Sequence, residues 1–241
     1  MVTKAANGIL LGRSIVSVGK THGGARFVFV PLDQIANGTV FVPFGGKLQN
    51  PFPGAAKAFA GDLFDYRTDD KAENPKLYLL KTYEVVAASG TSVSIARDGF
   101  RHIPFVGDKL GVAPAEIGGA MTAGNVIAVT KTTVDSQKVW TLTFDADIHA
   151  SKGNVLVEAD EENNMLVKQI NTLTPNDLDF VWSNAADPDD EEEFEDARYI
   201  IPVVLGGIMY THRMSVLPEC VKKLNPSKVN GWFVVGGDWG F

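Results

Sequence analysis

The residue types that could do chemistry first gather in GRSIVSVGKTHGG (12–24). Gly19-Lys20-Thr21 is the tail of a phosphate-cradling loop, and His22-Gly23-Gly24 reads as part of an oxyanion-hole loop. A phosphate loop needs Gly-x4-Gly-Lys-Ser/Thr, so that backbone N–H groups wrap the phosphates, followed by a helix whose N-terminus points at them. Here six residues separate Gly12 from Gly19, and Ser14 stands where the loop glycine belongs. HGGARFVFV follows, glycines and then a strand, so the segment reads as a glycine turn between two strands with Lys20 at its tip. An oxyanion loop matters only beside a Gly-x-Ser-x-Gly elbow, and no serine of the chain stands in one. Ser92 lies in GTSVS, a strand context without the second glycine. Cys220 sits in LPECVKKL, where the expectation is a helix with a small buried thiol.

Metal and carboxylate chemistry is tested the same way. In DADIH, Asp145, Asp147 and His149 alternate, and on a strand they would project from one face as a ligand triplet. The simpler reading is a polar outer face opposite Phe144, Ala146 and Ile148. The four histidines, His22, His102, His149 and His212, are scattered. The run DPDDEEEFED (187–196) lacks the glycine and spacing of an EF-hand loop and reads as a solvated, self-repelling loop. Asp98, Asp108 and Glu116 lie near loops, and nothing in the sequence pairs them. No catalytic, cofactor-binding or metal site is expected, and a non-enzymatic structural or binding protein is.

The elements that must position these residues read mainly as strands. TSVSIA (91–96), NVIAVTKTTV (125–134), KVWTLTF (138–144) and NVLVEA (154–159) are rich in Val, Ile, Thr and aromatics. In KVWTLTF, period 2 puts Trp140, Leu142 and Phe144 on one face and Val139, Thr141 and Thr143 on the other. ARFVFV (25–30), GTVFVPF (38–44) and VNGWFVV (229–235) add strands, and glycines punctuate the gaps. PGAAKAFAGDLF (53–64) and SVLPECVKKLN (215–225) are predicted short helices, and PLDQIAN (31–37) one helical turn. The expected fold is mainly β, an antiparallel β-barrel or sandwich body with a few short helices. Residues 1–60 are expected to form an N-terminal arm or small subdomain, and 61–241 a β-rich body carrying the acidic loop at 187–196.

The chain has 241 residues, of which 45% are apolar, ample for a real core. Its net charge of −7 is concentrated: without the eight acids of 187–196, 29 − 8 = 21 acids face 22 bases. That balance argues against a nucleic-acid surface, whose footprint is a basic stripe. One cysteine excludes an intramolecular disulfide. No apolar run approaches the roughly 20 residues of a membrane helix, and no signal peptide is expected.

Six phrases occur in order: NPFPGAAKAFAGDLFDYR (50–67), LYLLKTYEV (77–85), RDGFRHIPFVGDKL (97–110), MLVKQINTLTPNDLDFVW (165–182), ARYIIPVVLGGIMY (197–210) and VNGWFVV (229–235). Together they resemble the head fiber or capsid-decoration proteins of tailed bacteriophages, particularly crAss-like and related gut phages. The resemblance implies a virion component on the outer surface of the capsid. It would bind the major capsid protein, commonly as a homo-oligomer with a trimer favoured, and assemble in the bacterial host cytoplasm. It implies no enzyme activity, cofactor, nucleic acid or membrane. Residues before about 45 lie outside it. Their apolar strands are candidates for pairing across a subunit boundary, and Ile9, Leu10, Leu11, Ile15, Val16, Val18, Phe27 and Phe29 are the expected partner-binding residues. Two alternatives carry tests. A receptor- or glycan-binding adhesin would expose aromatics such as Trp232 and Trp239, whose simpler role is core packing or a subunit interface. A virion-associated hydrolase would need two carboxylates about 5–10 Å apart in a cleft.

Overall fold

The structure, a computed structural model, describes residues 9–11, 14–16, 18–21, 24–27, 29–30, 46–50, 56–59, 61–68, 75–97, 102–174, 178–180, 200–201, 203, 206–210, 216–222 and 232–236. The fold is mainly β with very little helix, as the strand patterning predicts. The chain divides into two compact units. The first comprises residues 1–79, 170–210 and 231–236, and the second 80–169, 211–230 and 237–241.

The first unit begins with β1 (Ile9–Leu11), β2 (Ser14–Val16), β3 (Val18–Thr21), β4 (Gly24–Phe27) and β5 (Phe29–Val30). Further strands are β6 (Gly46–Leu48), β7 (Ala56–Ala58), β8 (Leu63–Arg67) and β9 (Lys76–Leu79). The run from 53 to 64, predicted as a helix, instead supplies β7, a turn at Gly61 and the start of β8. Its alanines favour helix, but a run this short does not repay helix nucleation, and tertiary strand pairing overrides the propensity. Asp62 shapes the turn, its carboxylate accepting the Phe59 N–H at 2.7 Å. Tyr66 and Asn171 exchange hydrogen bonds, backbone to side chain, at 2.7 and 2.8 Å.

The second unit is a closed barrel. Its strands are β10 (Thr82–Ser89), β11 (Ser92–Ala96), β12 (Lys109–Val112), β13 (Ala123–Val134), β14 (Gln137–Phe144) and β15 (Val155–Glu158). They pair in the order β10-β11-β14-β13-β12-β15 and close back on β10, every pairing antiparallel. Closure demands strong curvature, and the ladder breaks register twice to supply it, between Val85 and Ala87 and between Val126 and Ala128. The second shift turns Ile127 out to solvent at 55% exposure. At Gly111 the strands approach so closely that a Cβ would collide with the Thr122 carbonyl oxygen.

One apolar cluster fills the barrel: Tyr83, Val85, Val93, Ile95, Leu110, Val126, Leu142, Phe144, Ile148 and Leu156. Leu142 and Phe144 belong to it and Trp140 packs against it, the single face that the alternation of KVWTLTF predicts. A barrel of this size has room for side chains and little else, so its inner faces form a solid core. β13 and β14 run on past the barrel as a hairpin closed by Asp135 and Ser136, at φ 48° and 65°, between the paired Val134 and Gln137. Two consecutive left-handed residues make a turn of the I′ kind, whose twist matches the strands it joins.

After the barrel come β16 (Thr172–Leu173), β17 (Leu178–Phe180), β18 (Ile200–Ile201), β19 (Gly206–Tyr210) and β20 (Trp232–Gly236), all in the first unit. They complete a five-stranded sheet, β16-β8-β9-β6-β18, a three-stranded sheet, β20-β19-β5, and the pair β17-β7. Of the predicted C-terminal helix, the described residues show α1 (Glu219–Lys222), in the second unit. The segments 31–37 and 38–44 and the acidic run 187–196 lie outside the described residues.

Leu142→Ala removes a fully buried side chain from the barrel core and should cost ~2–5 kcal/mol in urea unfolding. Ser136→Gly relieves a left-handed serine and should stabilise the barrel by ~0.4–1 kcal/mol. A thermal-shift comparison of the two variants with the parent checks both signs.

Candidate functional site

The strongest polar feature of the described residues sits inside one end of the barrel. Lys81 stands two residues before Tyr83 on the run into β10, Asp108 two before Leu110 on the run into β12, and Glu158 two after Leu156 on β15, so by period 2 each shares a face with that neighbour. Tyr83, Val85, Leu110 and Leu156 belong to the core, so Lys81, Asp108 and Glu158 continue the same inward faces at the barrel end. Lys81 donates to Glu158 Oε1 at 3.1 Å and to Asp108 Oδ1 at 3.4 Å. The Lys81 side chain is 1% exposed, that of Asp108 0% and that of Glu158 6%. The other Asp108 oxygen accepts the Phe105 N–H at 3.0 Å, and the Phe105 ring lies 5.1 Å from Lys81 Nζ. Beneath them Tyr83 is fully buried, and its hydroxyl has no hydrogen-bond partner.

Burial pushes Asp108 up from 3.8 to about 6; Lys81 opposes that shift and Glu158 adds to it. Burial first, then the two nearby carboxylates, raises the Tyr83 hydroxyl well above its usual value. The chemistry available is to hold one proton on Asp108 up to about pH 6, in a buried setting clamped by one ammonium. Sequence reading places Asp108 near a loop but misses the cluster, because Asp108 and Glu158 lie 27 and 77 residues from Lys81. The one local signal is Lys81 in LLKTYEV, a charge set in an otherwise strand-like apolar run.

The other candidates separate. DADIH lies beyond the end of β14, so its residues do not share a strand face. Asp145 instead accepts the Asn125 side-chain and backbone N–H groups at 2.7 and 2.8 Å, which holds its carboxyl below the usual range. Asp147 accepts the His149 N–H at 2.8 Å in a local turn, with His149 at φ 55°. Among the described residues no three His, Cys, Asp or Glu are grouped to hold a metal ion. Glu116 is exposed in a turn, Ser92 begins β11, and Asp98 lies outside the described residues. Cys220 is buried on α1, and burial pushes its thiol up, against thiolate chemistry.

The N-terminal residues fall on short strands. β1 pairs antiparallel with β2, Ile9 opposite Val16 and Leu10 opposite Ile15, with Leu11 completing β1. β3 pairs with β4, Val18 opposite Phe27, so Gly19-Lys20-Thr21 lies in a strand and not in a loop before a helix. His22 and Gly23 lie outside the described residues. Phe29, on β5, stands opposite Met209 of β19. Trp232 opens β20, and Trp239 lies outside the described residues.

What the geometry defines is a small closed-barrel β protein whose chain also builds a second, discontinuous β-rich unit. No family model, no curated protein and no solved structure gives a significant match to the chain.

The barrel-end cluster makes a signed prediction. Folded Asp108 keeps its proton to about pH 6, whereas the unfolded chain releases it near the ordinary 3.8. Its stabilising contribution is therefore complete below about pH 4 and is lost as pH rises through about 6, a span of roughly 3 kcal/mol. Subtracting the Tm-against-pH profile of Asp108→Asn from that of the parent should leave a difference that changes across pH 4–6 and is flat above. Lys81→Met strands two buried carboxylates and should cost ~3–5 kcal/mol at neutral pH, read by denaturant midpoint.

Proposed function

We propose that the protein is a non-enzymatic virion structural protein that decorates the outer surface of a phage capsid. In this reading it binds the major capsid protein and acts as a homo-oligomer, a trimer being favoured. It reaches the virion by assembly in the host cytoplasm. The phrase-level resemblance of residues 45–235 to head fiber and capsid-decoration proteins motivates the reading. A closed barrel packed solid by its own side chains suits a component that must be rigid without disulfides.

The observation that carries the proposal is the N-terminal pairing pattern. Among the described residues, β1 pairs only with β2, and β3 only with β4. A two-stranded ribbon with no further strand is marginal in water, and an edge that nothing covers presents unpaired backbone N–H and C=O groups. Strand addition by a partner satisfies such groups. Ile9, Leu10, Leu11, Ile15, Val16, Val18 and Phe27 are the residues such a partner would meet, with Phe29 following on β5.

The test is co-sedimentation with phage heads that lack the protein. The full chain should pellet with the heads. A chain lacking residues 1–24 should stay in the supernatant while keeping the circular dichroism and cooperative unfolding of the barrel. Undiminished head binding by the truncated chain would overturn the assignment of the interface.

A further inference from the structure

The hairpin that projects from the barrel carries a cationic aromatic face. Trp140 on β14 stands opposite Ile95 of β11 on one side and Lys131 of β13 on the other. Lys131 Nζ lies 5.2 Å from the indole centre, and the Arg97 guanidinium lies 5.0 Å from it. Lys138, two residues before Trp140 on β14, shares its face, and its carbonyl accepts the Arg97 N–H at 3.3 Å. Arg97, Lys131 and Lys138 are exposed and Trp140 is half-buried. β11, β13 and β14 contain no Asp or Glu; the nearest acid along the hairpin is Asp135, at its turn.

Two cations on one indole, with Lys138 as a third on the same strand face, repel one another, and cation–π attraction at an exposed site is worth only ~0.5–1 kcal/mol each. An anionic partner would relieve that repulsion. The chain has one segment of matching chemistry: DPDDEEEFED (187–196), eight acids around Phe194, without which the remainder is nearly neutral. Carboxylates answer the three cations, and the Phe194 ring suits the half-buried indole.

We propose that the Trp140 face of β11, β14 and β13 docks the acidic segment 187–196 of a second copy of this chain. The proposal builds on the homo-oligomer part of the function proposed above. The contact is distinct from the N-terminal strands, so head co-sedimentation and self-association report on the two separately.

Two full-length variants test it. One carries Asn or Gln at all eight acids of 187–196; the other is Arg97→Gln/Lys131→Gln/Lys138→Gln. All these changes replace charged groups with neutral polar ones, and both variants are checked for parental unfolding. The acid-neutralised chain is titrated with a synthetic peptide of residues 187–196. It should bind the peptide, more weakly as salt rises from about 0.05 to about 0.5 M. Adding the three cation substitutions to that chain should weaken binding by at least ~10-fold, about 1.4 kcal/mol. In sedimentation velocity, each variant alone should associate less than the parent, and an equimolar mixture should form a heteromer, since each supplies what the other lacks. No peptide binding, equal binding with and without the cations, or a mixture no more associated than its components would each overturn the proposal. A Trp140→Phe version of the acid-neutralised chain provides a second reading if the triple substitution impairs folding. It keeps the cations, removes the indole, and should also bind the peptide more weakly; unchanged affinity counts against the proposal.

Discussion

The barrel depends on one ammonium placed where its ring closes. β15 is the strand that completes the circle, lying between β10 and β12. Lys81 just before β10, Asp108 just before β12 and Glu158 at the end of β15 meet inside that seam. Taking three ionised groups out of water costs several kcal/mol per ion, more than two contacts of 3.1 and 3.4 Å return on their own. The raised Asp108 is the visible consequence: below about pH 6 the cluster sheds its excess negative charge by keeping a proton. Such a cluster earns its place through register. Sliding β15 by one residue against either neighbour would turn Glu158 outward and leave Lys81 facing the core.

The curvature and the seam serve each other. Two register shifts bend the β10–β11 and β13–β14 ladders, and Gly111 lets the β12 backbone approach its neighbour closely. The apolar core then fills the interior. Closure leaves the barrel no free edge, the most complete protection an antiparallel sheet has against unwanted pairing. The N-terminal ribbons have the opposite character, since each pairing among the described residues uses one edge of each strand. Among the described residues the barrel has no open edge, and the ribbons are where we propose association.

How much of this was legible in the sequence follows from the range of the interactions. The barrel strands were legible because period-2 alternation is local: Leu142 and Phe144 face the core and Thr141 does not, as their order in KVWTLTF requires. Gly19-Lys20-Thr21 was also readable, because a strand and not a helix follows it. The helix expected at 53–64 failed for the converse reason. Its local signal was real, but Ala56–Ala58 pairs with a strand more than a hundred residues later, at Leu178–Phe180. The ion cluster was illegible on the same ground, since nothing near Lys81 in sequence names Asp108 or Glu158.

The Trp140 face lies between these cases. Its residues were visible as members of three predicted strands, but their meeting depends on strand order. β11 pairs with β14, three strands later in the chain and not the next in sequence, and only that crossover brings Arg97 beside Trp140. Lys131 arrives by the short hairpin, a pairing that sequence does suggest. Cations gathered by topology in this way are not required by any local rule of strand formation, since β-branched or aromatic residues would suit the ladder better. On an acidic chain with no carboxylate in these three strands, their retention is most simply explained by a partner that carries the opposite charge.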